Sequence, residues 1–285
     1  MRNSLKCFIC CFRTKTAQKI FKNNLLKLFT LFIILFVFGG CEKKQDYETD
    51  FSIFFNNYKG CFVIYDYNNK YYIRYNKEQC EKKISPCSTF KIPNTLIGLE
   101  TGVITDENFT LNWDGTNYPR ESWNHDQNLK SAISNSVVWY YQEIARRVGE
   151  EKMSNYIKKI GYGNEDISGG IDKFWLMSSL KISANEQVEF LKKLYSNNFL
   201  FSDRTVNIVK EIFILEKYVG YIFSGKTGSG TDTVNKTSIG WFVGSITLGD
   251  NAYFFATNIE GGENEANGIK AKEITSEILK SLKLR

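Results

Sequence analysis

Ser85-Pro86-Cys87-Ser88-Thr89-Phe90-Lys91-Ile92-Pro93 is the stretch from which the rest of this 285-residue chain is read. A helix that starts at Ser88 tolerates Pro93 only near its first turn, because proline has no amide hydrogen for the helix interior. Positions three apart share a helix face, so the Ser88 hydroxyl and the Lys91 amine come within reach of each other. At the helix N-terminus the Ser88 amide lacks an intrahelical partner and is free to serve an oxyanion. Ser-x-x-Lys alone is a common pattern of exposed helix residues, so its meaning depends on the sequence around it.

Upstream, residues 61–66 and 70–75 are β-rich runs flanking Asn68-Asn69, a hairpin signal. Downstream, helical patterns cover residues 137–148, stopped by Gly149, then 150–160 and 185–195. Strand patterns return at 219–226, 238–246 and 252–259, before a closing helix over about 266–282. Strands at both ends and helices between them predict an α+β fold. One antiparallel sheet would be built from both chain ends, with the C-terminal helix packed on it and an inserted helical lobe beside it. There is no internal repeat.

The overall formal charge of +6 misleads, because residues 1–40 hold seven cations and no acid. The remaining 245 residues carry 30 basic against 31 acidic groups, which removes the electrostatic footing for a nucleic-acid partner. The basic leader runs into an 11-residue apolar core, 28–38, interrupted only by Thr30, and then Gly39-Gly40-Cys41. Spanning a bilayer takes roughly 20 apolar residues, so this reads as a signal-peptide core. Its ending resembles a bacterial lipobox, with Phe38 where leucine is usual, and makes Cys41 the expected site of lipidation; a leader cleaved in the ordinary way or retained is the alternative. The expected domains are a lipoprotein-type signal peptide over 1–40, a polar tether over 41–50 and a catalytic domain over 51–285, exported to the periplasmic side of a bacterial membrane. Cys61, Cys80 and Cys87 remain in the body, compatible with one disulfide and a buried thiol or with three free thiols.

The single histidine, His125, excludes more than any other count. A zinc site wants three or four ligands at recognisable spacings, and none is visible. A Ser-His-Asp triad would have to use His125, which lies in a polar stretch with no nucleophile motif nearby. Gly220-Tyr221-Ile222-Phe223-Ser224-Gly225-Lys226-Thr227 fits the phosphate-loop pattern, but Tyr-Ile-Phe reads as strand. Ser229-Gly230-Thr231-Asp232 reads as a turn where a helix is needed. No nucleotide partner, metal or cofactor is therefore expected beyond the carbon dioxide introduced below.

Ser136-Val137-Val138 follows Ser88 by 48 residues, and Lys226-Thr227-Gly228 follows it by 138. The order and spacing match the penicillin-recognising serine acylases, whose three boxes converge on one cleft. With valine third in the middle box, and with Tyr162-Gly163-Asn164, Lys173-Phe174-Trp175-Leu176 and Trp241-Phe242-Val243-Gly244 in place, residues 51–285 resemble a class D (oxacillinase-type) serine beta-lactamase. The resemblance implies the beta-lactamase/transpeptidase fold and hydrolysis of beta-lactam antibiotics through an acyl-enzyme on Ser88, conferring resistance. It implies that Lys91 carries carbon dioxide as N6-carboxylysine and acts as general base. Ser136 would relay a proton, Lys226 would supply a positive field, and Thr227, Gly228 and the Ser229 amide would bind substrate.

An ordinary lysine, with pKa near ~10.4, is protonated at pH 7 and cannot take a proton. Apolar neighbours such as Phe90, Val138, Trp175 and Leu176 would disfavour the cation, and the Trp175 indole N–H would suit a buried anion. Taken singly, Ser136 would be a helix N-cap and Trp175 a core residue, with Trp113, Trp123 and Trp139 in the core or cleft rim. Where many class D enzymes place a carboxylate-binding arginine, this chain has Lys270, a point charge without the bidentate fork. The alternative function is a penicillin-binding or sensor domain that acylates without releasing product. Such a sensor needs a lasting transmembrane helix and a cytoplasmic relay, for which the first 40 residues leave no room.

Overall fold

The computed structural model describes residues 45–199 and 201–285. The leader and Cys41 lie outside the described residues. The first elements are β1 (Gln45–Glu48), α1 (Ser52–Phe55), β2 (Lys59–Asp66), β3 (Tyr71–Tyr75) and α2 (Lys77–Glu81). A short 3-10 turn, Cys87–Phe90, leads directly into α3 (Lys91–Glu100). The lobe continues with the short strands β4 (Thr110–Leu111) and β5 (Gln127–Asn128), then α4 (Leu129–Ser134), α5 (Val138–Val148), α6 (Glu150–Ile160), α7 (Ala184–Tyr195) and α8 (Asp203–Ile212). The chain returns to the sheet through β6 (Ile214–Tyr218), β7 (Tyr221–Asp232), β8 (Thr237–Leu248) and β9 (Asn251–Gly262), and ends in α9 (Gly268–Ser281).

The helix ends follow their local chemistry. Ser183 and Glu186 cap α7 reciprocally, while α6 opens on Glu150 and Glu151, closes on Lys158 and Lys159 and stops at a left-handed Gly161. The sheet order is β1-β3-β2-β9-β8-β7-β6, so strands from both chain ends meet at β2 and β9, as expected for the α+β fold.

Three local expectations are corrected. Within the stretch read as a polar tether, residues 45–48 form an edge strand, parallel to β3 where every other pairing in this sheet is antiparallel. Charge holds it there: Arg74 pairs with Asp46, and Lys77 lies 3.6 Å from Asp46 and 3.7 Å from Glu48. Ser229-Gly230-Thr231-Asp232, read as a turn, is strand instead, with Ser229 opposite Gly240 and Asp232 opposite Thr237. A backbone ladder to β8 outweighs the turn preference of those residue types. The strand expected from residue 219 starts at Tyr221; Val219-Gly220 instead turns the chain from β6, which the sequence reading missed. A strand running through Lys226-Thr227 leaves no phosphate loop, so that pattern is coincidental.

Both faces of the sheet are covered. Phe62, Phe223, Phe242, Phe255 and Ile259 belong to the core shared with α1 and α9, whereas Val63, Trp241, Val243, Phe254 and Ala256 belong to the core shared with the helical lobe. This alternation along β8 and β9 is the period-two signature of a strand buried on both sides. Each large side chain so buried contributes roughly 1.5–3 kcal/mol. Cys61, Cys80 and Cys87 are buried free thiols, which decides between the two sequence-level alternatives.

Close approach at one glycine sets the position of α9. A Cβ on Gly240 would stand 2.2 Å from the carbonyl oxygen of Asn267, the residue whose side chain caps α9. Backbone cannot yield as a side chain does, so Gly240→Ala should destabilise the fold by about 2 kcal/mol. Thermal unfolding should show a midpoint lowered by about 4–8 °C. An unchanged midpoint would show that the end of α9 slides freely on the sheet.

Candidate active site

The Cys87–Phe90 turn is held from three sides before any reacting group is considered. Ser85, just upstream, accepts a bond at its carbonyl from the indole Nε1 of Trp241 on β8 (2.9 Å). Its hydroxyl donates to the Trp175 carbonyl and accepts from the Met177 amide, both at 2.9 Å. On the sheet side, a Cβ at Gly228 would lie 2.9 Å from the Pro86 carbonyl oxygen, so β7 backs directly onto the turn. Cys87 has φ 48°, a left-handed conformation uncommon for a residue with a side chain, and this bend leads into Ser88. Burial pushes the Cys87 thiol up to about 11, leaving a neutral neighbour beside the serine.

Ser88 sits within the 3-10 turn and Lys91 opens α3, which puts the Lys91 Nζ 3.0 Å from the Ser88 Oγ. Ser88 is partly accessible, whereas Lys91 is fully buried. Loss of water pushes its amine well below the usual lysine range, and the charges of Lys226 and Arg120 push it further in the same direction. Of the expected apolar neighbours, Phe90 and Trp175 are buried and stack with ring centroids 5.3 Å apart, while Val138 and Leu176 are only partly buried. A neighbour the sequence does not single out is Tyr141, whose ring centroid is 5.1 Å from the amine. Its hydroxyl lies 2.9 Å from Thr95 Oγ1, which donates to the Lys91 carbonyl at 2.7 Å. The helical spacing of Tyr140, Tyr141 and Ile144 marks core positions, and nothing in the sequence separates Tyr141 from its neighbours.

The other two boxes meet each other. Lys226 Nζ donates to Ser136 Oγ at 3.1 Å and to the Thr227 carbonyl at 3.0 Å. Lys226 is itself buried, and desolvation, then the charge of Arg120, lowers its pKa to about 7. Ser136 lies between α4 and α5 with φ 53°. It is not the helix cap: Val137 occupies that position, with no side-chain cap bond. The left-handed turn instead keeps the hydroxyl available to Lys226.

Trp175 is fully buried, and its Nε1 has no hydrogen-bond partner among the described residues. A buried donor left unpaired costs about 1–3 kcal/mol, so this indole calls for an acceptor. Beyond Ser224, β7 pairs with a strand on one side only, leaving the edge that carries Lys226, Thr227, Gly228 and Ser229. Ser229 Oγ accepts from the Gly268 amide at 2.8 Å and so ties this edge to α9. Lys270 is not brought to the other site residues. It is exposed, and its amine pairs with Glu273 at 2.9 Å, which raises its pKa. His125 is exposed, its Nδ1 engaged by the Asp126 carbonyl.

Residues 60–280 match the family described as penicillin binding protein transpeptidase domain. Beta-lactamase OXA-48 of Klebsiella pneumoniae is 39% identical over 265 residues, which cover 92% of this chain and 99% of that protein. The chain belongs to the class D beta-lactamase family, whose members are serine hydrolases. The solved structure of class D beta-lactamase BAT-2 is 42% identical, with a TM-score of 0.77 over 83% of this chain and 97% of that one. Regulatory protein BlaR1 of Bacillus licheniformis is 43% identical over 237 residues, but the chain spans only 39% of its length. The solved C-terminal domain of the BlaR penicillin-receptor from that organism matches with a TM-score of 0.81 at 40% identity, over 85% of this chain and 98% of that domain. The family likeness thus joins hydrolases and receptors on one scaffold.

Lys226 gives this class D site a measurable stability signature. Its folded pKa of about 7 lies below the unfolded value of 10.5, so the folded state resists holding the proton. The burial penalty is complete below pH 7 and fades as pH rises towards 10.5. Lys226→Met should therefore raise the unfolding midpoint most at about pH 6, with the gain shrinking by about pH 9.5. A gain that is the same at both pH values would contradict a strained buried cation.

Proposed function

We propose that the chain hydrolyses beta-lactam antibiotics through a covalent acyl-enzyme on Ser88, thereby conferring resistance. The observation that carries this reading is a dry amine 3.0 Å from a reachable serine hydroxyl. The Ser88 proton passes to the Lys91 side chain as Oγ attacks the lactam carbonyl. Backbone N–H groups of Ser88 and Ser229 receive the oxyanion, at about 3–4 kcal/mol of barrier per donor. Because Lys226 donates to Ser136 Oγ, the Ser136 hydrogen is free to go to the departing lactam nitrogen. The Lys226 cation draws the substrate carboxylate to the open edge of β7, along Thr227 and Gly228. Val138 closes the Ser136 side.

A neutral amine reacts with carbon dioxide, and as a carbamate on Lys91 it would supply an anionic oxygen base. The unpartnered Trp175 Nε1 is the acceptor-seeking donor that such a group requires, and it supports the fit. Lys91 would then also activate the water that releases the product. Export, with a lipid on Cys41, is part of the same reading and rests on the basic and apolar leader alone.

Carbon-dioxide-depleted buffer at mildly acidic pH should lower hydrolysis, and added bicarbonate should restore it; indifference to bicarbonate would remove the carbamate from the mechanism. Lys91→Ala should abolish product release while a slowly formed acyl-enzyme accumulates. The likeness to a penicillin receptor supports a second reading, in which Ser88 is acylated and stays so. Mass spectrometry of the protein incubated with excess benzylpenicillin separates them. Return of the unmodified mass as substrate is consumed supports hydrolysis, and a permanent adduct supports the receptor.

A further inference from the structure

Next to the Ser136 box stands a cation that no box contains. Arg120 lies in the loop between β4 and β5, and among the described residues its guanidinium has neither a hydrogen bond nor an ion-pair partner. It lies over the ring of Trp123 at 5.3 Å. That ring is fixed next to the Ser136 box: Trp123 Nε1 donates to the Asn135 carbonyl at 2.9 Å, and Trp139 on α5 donates to the Trp123 carbonyl at 3.0 Å. The Trp123 amide in turn bonds the Arg120 carbonyl at 2.9 Å, so backbone and side chain anchor both ends of the short Arg120–Trp123 segment. The charge of Arg120 also pushes the Lys226 and Lys91 amines down, after desolvation. Lys226, bonded to Ser136, and Arg120, over the neighbouring Trp123, are thus two like charges on one side of partly accessible Ser88, an arrangement that favours an anion joining them.

A penicillin substrate of the reading above brings a carboxylate on its thiazolidine ring. Lys270 is turned to Glu273, and Lys226 is a single point donor already bonded to Ser136 and Thr227. We propose that Arg120 binds the substrate carboxylate together with Lys226, supplying the two-pronged guanidinium contact that Lys270 does not. Its planar fork matches a carboxylate, and the indole beneath it limits the rotamers that must be frozen on binding. The cations at the cleft mouth would also make capture of the anionic substrate salt-dependent.

This inference rests on the proposed acylation of Ser88, so its test separates the two. The second-order acylation rate and, where turnover occurs, KM and kcat are measured for benzylpenicillin and for its methyl ester, which lacks the anion. Arg120→Ala should weaken the acid about tenfold in KM or acylation rate with little change in kcat, and should leave the ester within about twofold; Arg120→Lys should recover part of the loss. Lys270→Ala should leave both substrates unchanged. Equal kinetics of Arg120→Ala and the parent protein on the acid, or equal losses on acid and ester, would overturn the assignment while leaving Ser88 acylation intact. A parent protein that is not acylated at all would instead remove the underlying reading. Unfolding midpoints of the variants exclude a folding defect as the cause.

Discussion

The contact between the Lys91 amine and the Ser88 hydroxyl is the constraint around which the rest is arranged. A lysine does histidine's work only if water is kept away from it, and every element near α3 contributes to that exclusion. Phe90, Phe174 and Trp175 form an aromatic cluster beside it, and Tyr141 lies under the amine. The Tyr141 face favours the ammonium by about 0.5–2 kcal/mol, whereas full burial opposes it. Desolvation is the leading cause and lowers the Lys91 pKa, towards the neutral form.

Electrostatics extends the same logic across the cleft. Lys226 and Arg120 both disfavour a proton on Lys91, so the cations proposed to hold an anionic substrate would also help to make the proposed base. Placing them together is unfavourable in the empty protein. Ser85, through its bonds to Trp241, Trp175 and Met177, fastens the nucleophile turn to β8 and to the tryptophan loop against that repulsion. The glycines of β7 and β8 matter for the same reason, since Gly228 and Gly240 allow backbone to approach backbone where a methyl group would separate the layers.

Much of this was legible in the sequence because local signals agreed with the final packing. The helix over residues 150–160 has acids at its start, lysines at its end and a glycine stop, and it forms with those bounds. The three boxes announced Ser88, Lys91, Ser136 and Lys226 by spacing, and the folded chain brings their side chains into two bonded pairs. What escaped depends on partners distant in the chain. Residues 229–232 look like a turn until β8 supplies a ladder, and residues 45–48 look like a tether until Arg74 and Lys77 face their acids. Ser136 looked like a cap, but backbone geometry gives that place to Val137. Tyr141 and Arg120 carry no motif; only the contact of Tyr141 with the Lys91 amine, and the place of Arg120 over Trp123 beside the Ser136 box, distinguish them from an ordinary core tyrosine and an exposed loop arginine.

The most direct measurement is the protonation state of Lys91 itself. Protein labelled with carbon-13 at the lysine ε-carbon, held in carbon-dioxide-free buffer and titrated by NMR, reports each amine separately, with Lys91 assigned by its loss in Lys91→Ala. A Lys91 resonance already in its neutral position at pH 7.4 is the expected result. A resonance that titrates only near the ordinary lysine value of about 10.4 would leave a full ammonium beside Ser88 and contradict a lysine base.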